Sequence, residues 1–120
     1  MLINIDSFDL HDSRTEQLWV IVRAEIKNGC LRISGHDFGK PVMDSFGSDE
    51  YEYWYSFDEN NTELLIKLLI KEEGDVVLLK ENEIKQILID NFNGLNGCKK
   101  LRELCIENNI KYKFSSGAQV

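Results

Sequence analysis

The chain has 120 residues and a mass of 13.9 kDa, enough for one domain that buries roughly two-thirds of the surface its unfolded form exposes. With 42% hydrophobic and 29% charged residues, eight glycines and a single proline, disordered, collagen-like and low-complexity classes are excluded. Its 14 basic and 21 acidic residues give a formal charge of −7, which argues against direct nucleic-acid binding, because phosphate contacts need clustered Lys and Arg.

Residues 1–15 show no regular pattern and are expected to be loosely ordered. Leu18 to Ile26 is rich in β-branched residues and then alternates, as a strand does. Asn28-Gly29 follows, a strong hairpin signal because a type I′ turn needs positive φ at both central positions. A turn there sets Ile26 opposite Leu31, Glu25 opposite Arg32 and Ala24 opposite Ile33, so apolar residues meet on one face and a charge pair on the other. Ser34 to Ser48 holds Gly35, Gly39, Gly47 and Pro41, the sole proline, and is expected to be loop or irregular edge.

Tyr51 to Phe57 alternates again, with Tyr51, Tyr53, Tyr55 and Phe57 on one face and Glu52, Trp54 and Ser56 on the other. Asn60-Asn61-Thr62-Glu63 matches an N-cap followed three positions later by an acid. The helix it opens runs to about Glu73, with Leu64, Leu65, Leu68 and Leu69 at helical spacing and Gly74 as its stop. Val76 to Leu79 carries no decisive pattern. A second helix spans about Glu81 to Phe92, burying Ile84, Ile87, Leu88 and Phe92. A third starts at Asn96, buries Leu101, Leu104 and Cys105, and closes at Asn108-Asn109. Ile110 to Phe114 alternates as a last strand, and 115–120 reads as a frayed tail. Segregated strands and helices predict a single α+β domain over 1–120, a mostly antiparallel sheet with a β-hairpin packed against about three helices.

The longest nearly uncharged run, Leu64 to Ile70, contains Lys67 and falls far short of the roughly 20 residues a spanning helix needs. The start, Met1-Leu2-Ile3-Asn4-Ile5-Asp6, lacks the basic and apolar regions of an export signal. A cytoplasmic location without membrane partners is expected. Cys30, Cys98 and Cys105 are odd in number and form no C-x-x-C pair, which predicts reduced, mostly buried thiols, no disulfide framework and no structural metal site.

The segment from Asp44 to Glu63 contains Asp44, Asp49, Glu50, Glu52, Asp58, Glu59 and Glu63 and no Lys or Arg, so it carries the whole net charge while the remainder balances. It also holds Phe46, Tyr51, Tyr53, Trp54, Tyr55 and Phe57, half of the chain's aromatic residues. A merely solvated surface mixes signs, whereas a one-signed stripe suits a basic partner.

Catalytic signatures are weak. His11-Asp12 and His36-Asp37 place neighbouring side chains on opposite faces of an extended segment, away from any metal-ligand spacing. No phosphate-binding glycine loop occurs, and the acids lack an adjacent base or donor that defines acid–base roles. Neither catalytic residues nor a cofactor is predicted, and the chain is read as a non-enzyme.

Tyr51-Glu52-Tyr53-Trp54-Tyr55-Ser56-Phe57-Asp58, the leucine-rich helix after it and the closing helix and strand from Gly97-Cys98-Lys99-Lys100-Leu101 to Phe114 make a layout that resembles the small cytosolic immunity proteins of bacterial contact-dependent growth inhibition and related polymorphic-toxin systems. The resemblance implies a non-catalytic inhibitor that binds the C-terminal toxin domain of a neighbouring-cell effector, often a nuclease, and blocks its active site; a monomer in that complex is a separate expectation. A nuclease presents a basic cleft to phosphates, and an acidic surface with an aromatic anchor can occupy it. Asp49, Glu50, Glu52, Asp58 and Glu59 are the expected electrostatic set, Asp44 lies outermost and Trp54 is the anchor. The rival reading is a small enzyme or ligand-binding domain in which the aromatics of the third strand line a pocket and His36 or Asp37 supplies its polar group. A third is an adaptor that pairs a strand edge with another chain.

Overall fold

The hairpin forms as its chemistry requires. Asn28 and Gly29 have φ of 52° and 79°, and the flanking residues pair as Ile26 with Leu31, Glu25 with Arg32 and Ala24 with Ile33. In this computed structural model, which describes residues 3–46, 50–70 and 79–119, the hairpin is the centre of a five-stranded antiparallel sheet. Its strands are β1 (Ile5–Arg14), β2 (Leu18–Lys27), β3 (Cys30–Gly39), β4 (Glu50–Ser56) and β5 (Lys113–Gln119). They lie side by side in chain order. Four helices accompany them: α1 (Lys40–Phe46), α2 (Glu59–Leu69), α3 (Glu81–Phe92) and α4 (Gly97–Glu107). The molecule is one α+β globule.

Strand parity divides the sheet. Ile5, Val22, Ala24, Ile26, Leu31, Ile33 and Tyr55 turn to one face, where they form a core with Leu65 and Ile66 of α2, Ile84 and Leu88 of α3, and Leu101 and Cys105 of α4. The opposite face carries no fully buried hydrophobic residue among these register-paired strand positions, and it presents Trp19, Arg23, Arg32, His36, Glu50, Glu52 and Trp54. Cross-strand register builds it in rows: Trp19, Phe38 and Glu50; Ile21, His36 and Glu52; Arg23, Ser34 and Trp54.

Several expectations are corrected. Residues 5–14 form β1 rather than a loose segment, and its alternation is broken by register shifts between Ile5 and Phe8 and between Asp9 and His11. β3 continues to Gly39 and α1 follows to Phe46, within the stretch 34–48 where loop or irregular edge was expected. The last strand starts at Lys113 and extends through the expected tail to Gln119. Among the described residues α1 joins the three expected helices.

α2 begins earlier than expected, capped by Asp58, whose carboxylate accepts from the Asn61 backbone N–H at 2.7 Å. Its buried face is therefore Asn61, Thr62, Leu65, Ile66 and Leu69, which leaves Leu64 and Leu68 exposed. α3 matches the predicted span, and α4 starts at the residue after Asn96 and ends at its C-cap Asn108. The predicted stop at Gly74 and the segment Val76, Val77 and Leu78 lie outside the described residues.

α2 is joined to the sheet by polar contacts as well as by its apolar stripe. The Leu31 N–H donates to the buried Thr62 Oγ1 at 2.9 Å, and the Leu31 carbonyl accepts from Phe57 N–H at 2.8 Å. Asn61 donates through Nδ2 to Asp58 and accepts from the Lys111 N–H at 2.8 Å, which holds the approach to β5 against the start of α2. No helix among the described residues is long and apolar enough to cross a membrane.

Candidate functional site

Alternation along β4 sorts the predicted interface residues. Glu50, Glu52 and Trp54 share the open face of the sheet. On β3, His36 stands on that face, its Nε2 3.5 Å from Glu52 Oε1 and 3.8 Å from Glu50 Oε2. Trp54 lies under the Arg32 guanidinium, 5.5 Å from the ring centroid, a cation–π arrangement. A groove of about 190 Å³ runs between Ile21, His36, Glu52 and Trp54.

The other members of the acidic set are elsewhere. Asp44 is exposed on α1, which packs against the β3 and β4 strands. Asp58 and Glu59 begin α2, beyond the far end of the seven-residue β4, a strand length of roughly 20 Å from Glu50. Asp58 already has a structural task, and the Asn61 backbone and side-chain N–H groups hold its carboxyl below the usual range. Asp49 lies outside the described residues. The predicted stripe is thus divided into a group at the start of β4 and a group at the helix cap.

Nor is the open face uniformly acidic. Arg23 pairs with Asp9 at 2.9 Å, and Arg14 covers Trp19 at 3.8 Å from the ring centroid. Trp19 also donates through Nε1 to Asp12 at 2.8 Å, stacks on Phe38, and Phe38 in turn stacks on His36. This continuous polar and aromatic row was not predicted. The alternation of β2 marked it, but β1 and the second half of β3 had to be recognised as strands before Arg14, Asp12, His36 and Phe38 lined up.

The helix-facing side of the same strands holds a second constellation. Tyr51, Tyr53 and Tyr55 form a ladder with ring centroids 6.1 and 6.2 Å apart. Tyr53 lies across Gly35, where a Cβ would stand 1.9 Å from its ring, so the glycine makes room for the tyrosine. Beyond the ladder, the first turn of α4 brings Cys98, Lys99 and Arg102. Together with Asp37 these line an open cavity of about 450 Å³, with Leu95 and Phe114 at its margin.

Chemistry in the cavity is specific to each group. Arg102 donates through Nη1 to the Tyr55 hydroxyl at 2.8 Å. The Tyr53 hydroxyl lies near the Cys98 thiol, and the two groups interact. Burial raises both the Tyr53 phenol and the Cys98 thiol, so both remain protonated at neutral pH. Burial likewise raises the Asp37 carboxyl, only partly opposed by His36. Asp37 Oδ1 is shielded from solvent and accepts no hydrogen bond among the described residues. His36 and Asp37, adjacent in sequence, therefore serve opposite faces of the sheet, as extended backbone dictates.

Of the cysteines, only Cys105 is buried, while Cys98 is half-buried and Cys30 exposed, which corrects the expectation of mostly buried thiols. All three are free. Among the described residues, no three His, Cys, Asp or Glu side chains gather as a metal ion requires. No family model, no curated protein and no solved structure matches this chain.

Proposed function

We propose that the chain is a non-catalytic immunity protein that binds and neutralises a basic toxin domain, with a nuclease as the expected target. Its docking surface is the open sheet face at the start of β4. The observation that carries the reading is that Glu50, Glu52 and Trp54 stand together on one partly exposed face of the sheet, the two carboxylates beside a half-exposed indole. Such a face combines steering by charge with an aromatic anchor that loses water on docking. Asp44 extends the acidic end along α1, whereas Asp58 and Glu59 take no part in this patch.

The test is co-production with the basic C-terminal domain of the effector encoded beside this chain. The wild-type chain restores growth, and the pair associates more slowly as salt rises. Glu50→Lys combined with Glu52→Lys weakens the complex while thermal unfolding stays within a few degrees of wild type. Equal affinity in the double variant sinks the assignment to this face. A gene neighbourhood of metabolic enzymes without an effector sinks inhibition itself.

A further inference from the structure

The cavity between the tyrosine ladder and α4 is separate from the proposed docking face and has a chemistry of its own. Its volume, about 450 Å³, falls in the range that small-molecule sites occupy, roughly 300–1,000 Å³. Its walls are of opposite charge. Asp37 supplies a carboxylate from β3, and Lys99 and Arg102 supply cations from α4. These groups do not neutralise one another directly: no salt bridge joins Asp37 to Lys99 or Arg102 among the described residues. Cys98 shares the lining, and both the Asp37 and the Arg102 charge act on its thiol. The floor is aromatic, made of Tyr51 and Tyr53.

We propose that this cavity binds a free α-amino acid, with its ammonium group at Asp37 and its carboxylate at Lys99 and Arg102. Asp37 lines the open cavity, and among the described residues no salt bridge joins it to Lys99 or Arg102. An ammonium group donates up to three hydrogen bonds and matches such a carboxylate. Arg102 commits one N–H to Tyr55, and a guanidinium has five, arranged to meet a carboxylate. The tyrosine rings then face the ligand's side chain, which selects an apolar or aromatic one. A ligand with only one charge leaves the opposite wall of the cavity unmatched.

Titration calorimetry on the full chain tests this with each common protein amino acid, and with phenethylamine and hydrocinnamate as the amine-only and acid-only counterparts of L-phenylalanine. Saturable binding of an apolar or aromatic amino acid is expected. The one-headed compounds bind at least about tenfold more weakly, the effect of losing one charge-assisted contact. Asp37→Asn and Lys99→Ala each reduce affinity by about tenfold or more. Lys99 is exposed on α4, so its truncation leaves the fold intact and the binding result stands without the Asp37 variant. Four outcomes overturn the proposal: no amino acid saturates, phenethylamine binds as tightly as phenylalanine, hydrocinnamate does so, or both variants bind as wild type does.

Discussion

Replacing Thr62 by valine asks whether α2 completes the hydrogen bonding of the sheet. In the two-residue hairpin, Leu31 turns its N–H and carbonyl away from β2. The carbonyl meets Phe57 N–H, but the N–H has passed the end of β4 and meets Thr62 Oγ1 at 2.9 Å instead. Thr62 is 0% exposed and Leu31 1%, so water cannot replace the lost acceptor. Valine keeps nearly the same volume and opens no cavity. The expected loss is that of an unsatisfied buried N–H, about 1–3 kcal/mol. With an unfolding entropy of about 2.1 cal/mol/K per residue over 120 residues, a loss of about 2 kcal/mol lowers the melting temperature by roughly 8 °C. Serine supplies the control, because it keeps the hydroxyl and removes one methyl group, worth about 1 kcal/mol. Urea unfolding ranks the three proteins, and amide exchange at Leu31 reports the bond itself. The bond predicts wild type above Ser above Val, with faster exchange at Leu31 in the valine variant. Apolar burial alone predicts the reverse order for the two variants, and a valine protein as stable as wild type refutes the reasoning.

Asp37→Asn is expected to raise stability at neutral pH, since burial holds the folded-state carboxyl above its ordinary value. The gain disappears as pH falls below about 3.9, where both folded and unfolded chains carry the proton; urea midpoints at pH 7 and pH 3 check the sign. Gly35→Ala forces the Tyr53 ring away from β3, because the new Cβ would lie 1.9 Å from it, and should cost about 1–3 kcal/mol by chemical denaturation. In thiol titration at pH 8, Cys30 reacts first. Cys105, buried and pushed up to about 11, reacts only on unfolding, and equal native rates would refute the packing of α4.

What the sequence makes legible depends on how local the cause is. Asn28-Gly29 determines its own backbone and, through it, the register of β2 and β3, so pairing of Glu25 with Arg32 follows from a dipeptide. β1 is the contrary case: two register shifts remove the alternation that reveals a strand, although Ile5 and Leu10 are buried. β5 is concealed by composition, since Ser115, Ser116 and Gly117 have little strand preference and pairing with β4 supplies the order instead. On α2 the polar look of Asn61 and Thr62 hides the true buried face, because both are buried through hydrogen bonds rather than through apolar area.

The two candidate sites differ in the same way. Glu52 and Trp54 share a face because they are two residues apart on a strand, a relation readable from the chain. The cavity needs Arg102 to meet Tyr55 across 47 residues, and no spacing rule announces that. Lys99 and Arg102 look like part of a balanced helix surface until the fold places them in the lining that Asp37 also joins.

The odd and even residues of β3 and β4 make the two proposals separable by experiment. His36 and Glu52 point one way, Asp37 and Tyr53 the other, and only the backbone is common to them. A change of charge at Glu50 and Glu52 alters the potential over the open face and reaches the cavity only indirectly, through His36, which faces both carboxylates and acts on Asp37. Reversing those charges should therefore change amino-acid affinity far less than Asp37→Asn does, and Asp37→Asn should change toxin neutralisation far less than the charge reversal does. Asp37 also bears on why the cavity exists. A half-buried carboxylate that weakens the fold at neutral pH is readily replaced by asparagine, which fills the same volume without the charge. Its presence, unpaired, beside two cations it does not touch is the arrangement of a site kept open for a ligand, in which stability is forgone for binding. If the asparagine variant proves more stable and binds the amino acid as tightly as wild type, that argument fails and the carboxylate is merely tolerated.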